Sequence, residues 1–231
     1  MKKAILTIDD IASNNTKAIV DYLLEKKIKV VMFAWGENVE KNYDAAIYAL
    51  QSGMIVGNHS YTHPAFSSLS FEECVKEIEK NEALLDRLYK DAGVERKYRP
   101  FRFPYGDKGG ANKDRLQEYF RENGFSKLKD TEITYPFWSE TGCNKDIDTL
   151  WTFDFEEYKI RRNSGFTIED VWKKVSNENP PYGGYLFTET SKNIILLHAH
   201  DETEEMEPEY YKKFIDYLLD NGVVFDEPEF F

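Results

Sequence analysis

Ala4-Ile5-Leu6-Thr7-Ile8-Asp9-Asp10 and Ile55-Val56-Gly57-Asn58-His59-Ser60-Tyr61-Thr62-His63-Pro64 are the two stretches on which the reading of this chain turns. Each begins as a short apolar run, the signature of a buried strand, and stops on side chains that move protons or hold cations. The same kind of run recurs at 29–34, 101–103, 150–153, 193–197 and 223–225, which gives seven candidate strands. Helical periods lie between them. The clearest spans 71–92, where Ser70 and Glu73 form a capping box and Phe71, Cys74, Val75, Ile78, Leu85 and Leu88 repeat on one face. Others cover 16–27, 113–123 closed by Gly124, 167–176, and 209–221 closed by Gly222. Strand followed by helix, repeated, implies parallel strands joined by crossovers. The expected fold is α/β, a distorted (β/α) barrel of about seven parallel strands. No linker, repeat or biased tract divides residues 1–231, so a single domain is expected. The irregular stretch 127–145 reads as an active-site loop.

Composition narrows the function. The chain has 231 residues, 41% hydrophobic and 31% charged, with a formal net charge of −12. That balance suits a packed globular core, and it excludes a nucleic-acid partner and disfavours an anionic membrane surface, both of which require clustered Lys and Arg. Two cysteines, Cys74 and Cys143, are too few for a disulfide framework, and Cys74 falls on the apolar face of its helix. After Met1-Lys2-Lys3 the apolar run is only Ala4 to Ile8, too short for a secretion signal or a membrane span, so a cytoplasmic protein is expected. Aromatic residues make up 15% of the chain, and several fall in the expected loops at 134–138 and 181–185, as rings do in sugar-binding clefts.

In parallel α/β folds ligands collect at the C-terminal ends of strands. Five such ends carry chemistry here: Asp9-Asp10, Asn58 to His63, Arg102 to Gly106, Asp154, and His198-Ala199-His200-Asp201. All four histidines of the chain lie at these ends, which a random scatter over solvated surface would rarely produce. His59 and His63 have ligand spacing. With one carboxylate they make the three protein ligands and open position of a catalytic metal site, and Pro64 keeps His63 out of helical geometry.

These residues resemble the motifs of the polysaccharide deacetylases, the NodB-homology group of carbohydrate esterases (family 4). Leu6 to Asp10 is similar to the family's first motif and Gly57 to Pro64 to its second, almost letter for letter. Val30 to Gly36 is similar to its second-strand segment, Arg102 to Gly106 to its third motif, Trp151 to Tyr158 to its fourth, and Leu196-Leu197-His198 to its fifth. The resemblance implies that Asp10, His59 and His63 hold a metal while Asp9, partnered by Arg102, is the general base. It further implies that the metal and the backbone N–H of Tyr105 stabilise an oxyanion. His198 is then the general acid, oriented by Asp154 or Glu157. The chain departs from the family pattern at Ile11-Ala12 in place of Gly-Pro, at Phe103 in place of Pro, and at Glu157-Tyr158 in place of Asp-Trp. His200, at the head of the acidic stretch 201–205, reads as a solvated loop histidine.

The activity implied is removal of N-acetyl groups from an N-acetylglucosamine-containing polysaccharide or oligosaccharide. Zinc is the first choice of divalent metal, and cobalt, nickel or iron also suit two histidines and a carboxylate. A small non-sugar amide is the alternative substrate. A different class, a non-catalytic sugar-binding protein on the same fold, is opposed by the intact set Asp9, His59, His63 and His198.

Overall fold

The first strand, β1 (Lys2–Ile11), has eight of its ten residues buried, so it lies in the middle of a sheet covered on both faces. The structure, a computed structural model, describes residues 1–181 and 183–231. Along one edge of β1 runs β5 (Asn193–His198), in parallel register from Ala4 opposite Asn193 to Asp9 opposite His198. The other edge is shared. β2 (Val31–Ala34) takes its C-terminal half and β6 (Val223–Phe225) its first residues. β3 (Ile55–Asn58) continues beyond β2, and β4 (Phe153–Asp154) beyond β5, giving the order β3-β2-β1-β5-β4, all parallel.

This is the expected parallel α/β barrel, with six strands among the described residues rather than seven. The segment expected as a strand at 101–103 makes one parallel bridge, Phe101 opposite Asn58, and then leaves the ladder at Pro104, which has no N–H to donate. Backbone hydrogen bonds close the ring there. The Thr149 N–H donates to the Phe101 carbonyl (2.8 Å) and the Thr152 N–H to that of Ile194 (2.8 Å), so residues 149–152 join the two open edges without forming a ladder. Gly57 permits this closure, because a Cβ there would lie 2.7 Å from the Pro100 carbonyl oxygen.

The helices form the outer layer: α1 (Thr16–Lys26), α2 (Gly36–Lys41), α3 (Tyr43–Gln51), α4 (Phe71–Ala92), α5 (Lys113–Glu122), α6 (Pro136–Glu140), α7 (Ile168–Val175), α8 (Asp201–Met206) and α9 (Tyr210–Asp220). The five expected helices are present, and the Ser70–Glu73 capping box starts α4. Alternate strand residues serve two cores. Ala4, Leu6, Ile8, Met32, Ala34, Val56, Ile195 and Leu197 pack outward under the helices, while Ile5, Val31, Phe33 and Ile194 face the barrel interior. No helix among the described residues is long and apolar enough to cross a membrane.

One expectation is corrected by the interior. Leu128, Ile133, Trp138 and Cys143 join Ile5, Val31, Phe33 and Ile194 in a single buried cluster, so residues 127–145 plug the barrel, and none of them lines the cleft at the C-terminal strand ends. The plug is pinned by Asp130, which accepts from the indole N–H of Trp138 (2.8 Å) and pairs with Lys127 (2.9 Å). The aromatic ring at Tyr135 likewise serves this core and not a sugar groove. At 181–185 the sequence reading includes Tyr182, which lies outside the described residues.

Trp138→Ala therefore opens a cavity and lowers unfolding free energy by about 3–5 kcal/mol. Urea denaturation measures it. An unchanged midpoint combined with lost turnover would return the segment to the active site.

Candidate active site

A regular strand points successive side chains to opposite faces, so Asp9 and Asp10 should diverge. They do not, because the β1–β2 register shifts between Ile8 and Ile11 and Asp10 takes a left-handed φ of 65°. The bulge turns both carboxylates to the barrel mouth. Five of the eight non-glycine residues with positive φ among the described residues, Asp10, Ser60, His63, Tyr105 and Glu156, lie in or beside the site. Backbone strain is thus concentrated where the chemistry is.

The loop carrying the two histidines hangs from α4. Asn58, buried at the end of β3, donates to the Ile78 carbonyl (3.0 Å) and to Glu82 (2.8 Å), while its Oδ1 accepts from the Ser60 N–H (2.8 Å) and from Asn81 (2.9 Å). Glu77 accepts the N–H groups of Tyr61 (3.1 Å) and Thr62 (2.7 Å). His59 Nδ1 donates to the Arg102 carbonyl (2.8 Å), which fixes the tautomer and leaves the Nε2 lone pair facing the cleft. His63 Nε2 approaches to 3.2 Å of His59 Nε2, and Asp10 Oδ1 stands 3.3 Å from His63 Nε2 and 3.6 Å from His59 Nε2. That Oδ1 is buried with no hydrogen-bond partner among the described residues. Trp35 stacks on one side of His63 at 4.7 Å and Tyr105 meets it edge-on at 4.7 Å.

The charges follow from these contacts. Burial would raise the Asp10 pKa, but the hydrogen bond from His200 and the electrostatic interactions with His59 and His63 outweigh it and hold the carboxyl well below its usual range. Burial, reinforced by His59, lowers His63 to about 4, so its ring is neutral and its lone pair free. A buried carboxylate oxygen that meets no donor among the described residues, beside the Nε2 atoms of His59 and His63, matches the needs of a divalent cation. Beside this cluster, Asp9 Oδ1 takes a 2.8 Å hydrogen bond from Arg102, and Asp9 Oδ2 lies 3.5 Å from His59 Nε2.

At the end of β5, in register with Asp9, His198 Nδ1 lies 3.2 Å from Glu157 Oε1, which also accepts the His198 backbone N–H at 2.5 Å. Between the two carboxylates left open by the sequence, Glu157 is the partner and Asp154 stands beside it. Burial opposes the charged imidazole, but Glu157 overrides it and His198 rises to about 10. Burial, together with the charge of Glu157 and against that of His198, raises Asp154 to about 6.

The structure brings together every residue given a catalytic or metal-holding role from the sequence. Asp9, Asp10, His59, His63, Tyr105, Asp154 and His198 line one cleft of about 350 Å³, with Arg102 and Glu157 fully buried behind it. Trp35, Trp151, Tyr158, Arg161 and His200 complete the wall. Trp35 was open to the same strand-end logic, since it follows the β2 run directly. His200 is a correction: its Nε2 lies 2.6 Å from Asp10 Oδ2, and the residues after it form α8 rather than a solvated loop.

A parallel barrel with an acid–histidine cluster at its C-terminal mouth defines the class as α/β-barrel proteins with an ionisable cluster at the strand ends. The family model described as polysaccharide deacetylase matches residues 1–127, and the chain belongs to that family. A peptidoglycan-N-acetylglucosamine deacetylase of Bacillus cereus is 35% identical over 92 residues, 40% of this chain and 32% of its own. A chitin deacetylase of Cryptococcus neoformans is 28% identical over 179 residues, 76% of this chain and 34% of its own. The chain thus spans about a third of the length of these curated relatives. The crystal structure of a polysaccharide deacetylase from Bacillus cereus superposes with a TM-score of 0.65 at 22% identity, covering 98% of this chain and 92% of that one. A family 4 carbohydrate esterase from Streptomyces lividans gives 0.60 at 20%, covering 96% and 90%. Both establish the barrel fold.

The raised His198 value is testable on its own. Its ordinary value is 6.5 and its folded value about 10, so the folded protein holds a proton the unfolded chain releases. The stability contributed by the pair is then complete below pH 6.5 and is lost as pH rises through 10. In Glu157→Gln the ring midpoint, followed by NMR, moves down toward 6.5 and this pH dependence flattens. An unmoved midpoint contradicts the pairing.

Proposed function

We propose that the protein is a metal-dependent deacetylase that hydrolyses the N-acetyl group of an N-acetylglucosamine-containing polysaccharide or oligosaccharide. One observation carries the reading. The cluster of Asp10, His59 and His63 shares one cleft with a carboxylate held by arginine, Asp9, and a protonated histidine held by a carboxylate, His198. Asp10, His59 and His63 would hold a divalent cation, and zinc is the one we favour. When bound, such a cation supplies Lewis acidity, which polarises a carbonyl and makes water a stronger acid.

The protein's own groups account for the proton movements. Arg102 occupies Asp9 Oδ1 and leaves Oδ2 to take a proton from the attacking water as its oxygen bonds to the acetyl carbon. The backbone N–H of Tyr105, in its left-handed turn, is the proposed donor to the oxyanion. As the C–N bond breaks, the amine nitrogen takes a proton from His198 Nε2, the ring nitrogen opposite the one that Glu157 holds. The products are acetate and a free amine. A glycan is favoured over a small non-sugar amide by the rings of Trp35, Tyr105, Trp151 and Tyr158 around a cleft within the usual size for one ligand unit. The relatives, deacetylases of peptidoglycan and chitin, support the same class.

An amine leaves only when protonated, whereas an aryloxide leaves unaided. His198→Ala should lower acetate release from N-acetylated chito-oligosaccharides by at least ~10²-fold and hurt hydrolysis of an activated aryl acetate far less. Equal losses on both substrates, with metal content unchanged, would remove His198 from the acid role.

A further inference from the structure

We propose that His200 is a positioning residue for the cation site, fixing the Asp10 carboxylate so that Oδ1 faces His59 and His63. The inference rests on the reading of those three residues as cation-holding. Asp10 divides its oxygens: Oδ2 meets His200 Nε2 at 2.6 Å, while Oδ1, without a hydrogen-bond partner, is 3.3 Å from His63 Nε2 and 3.6 Å from His59 Nε2. The hydrogen bond occupies the lone pairs a cation does not need and blocks rotation that would carry Oδ1 away.

His200 itself is held from several directions. The Tyr210 hydroxyl meets its backbone N–H at 3.3 Å, and the preceding Ala199 N–H donates to the Asp9 carbonyl at 3.0 Å. The following Asp201 accepts from the Asn14 side chain at 2.6 Å and the Asn15 N–H at 3.3 Å, tying this turn to the loop after β1. A backbone anchored on both sides of the ring places Nε2 where Oδ2 must be. His200 falls outside the set of mutually close ligand atoms formed by Asp10, His59 and His63, which is the placement of a group behind a ligand rather than of a fourth ligand.

Removal of such a hydrogen bond typically weakens metal affinity by ~10–100-fold. The full chain, with zinc alone as probe, is titrated in competition with a chromophoric chelator as wild type, His59→Ala, His200→Ala and His200→Gln. His200→Ala should bind zinc ~10–100-fold more weakly, and His200→Gln, whose amide N–H still donates, should recover part of the loss. The visible spectrum of the cobalt-loaded protein should be the same in wild type and both His200 variants. An unchanged zinc affinity in His200→Ala overturns the inference, and so does a cobalt spectrum altered as by loss of a ligand. Zinc binding lost in His59→Ala but intact in His200→Ala removes this inference alone. A wild type that binds no zinc removes the cation reading and this inference with it.

Discussion

The site depends on Arg102, which is fully buried and serves four partners at once. Its guanidinium donates to Asp9 (2.8 Å), to the Thr7 hydroxyl (2.8 Å) and to the Thr149 carbonyl (2.9 Å), and its backbone carbonyl accepts from His59 Nδ1 (2.8 Å). The faces of Phe33 and Trp151 lie 4.4 Å and 5.5 Å from the cation. One residue therefore joins the central strand, the segment that closes the barrel, the proposed base and the tautomer of a proposed ligand. A buried charge pair is a weak source of net stability, yet losing one partner strands the other at a cost of about 3–5 kcal/mol. Fold and chemistry share this constraint, which is why the two are hard to separate at Arg102.

The bulge at Asp9-Asp10 is the second constraint. Paired carboxylates at a strand end are useful only if alternation is broken, and the left-handed Asp10 breaks it. Asp9 then meets Arg102, buried behind the cleft, while Asp10 meets three histidines.

The parallel strand–helix alternation, five of the helices and the cluster of ionisable strand ends were legible because each is written locally. Apolar runs stop on charged residues, and Ser70 and Glu73 cap α4 in the sequence as in the fold. Three features were not legible. Residues 127–145 are irregular and aromatic, as an active-site loop would be, and only the barrel interior shows that Trp138 and its neighbours fill a hole. The strand at 101–103 fails because Pro104 ends the ladder, while its role passes to single hydrogen bonds from Thr149 and Thr152. His200 looked solvated beside Asp201, Glu202, Glu204 and Glu205. Those acids instead lie on α8, and Asp201 reaches back to Asn14 and Asn15. A contact between residues 10 and 200 has no local signature.

The central claim is that one carboxylate of the Asp9-Asp10 pair holds a cation and the other moves a proton. Equilibrium dialysis against zinc, followed by metal analysis of Asp9→Asn and Asp10→Asn beside wild type, separates the two most directly. The account predicts one zinc per chain in wild type and in Asp9→Asn, with Asp9→Asn nearly inactive, and loss of zinc in Asp10→Asn. Zinc retained by Asp10→Asn and lost from Asp9→Asn would contradict it.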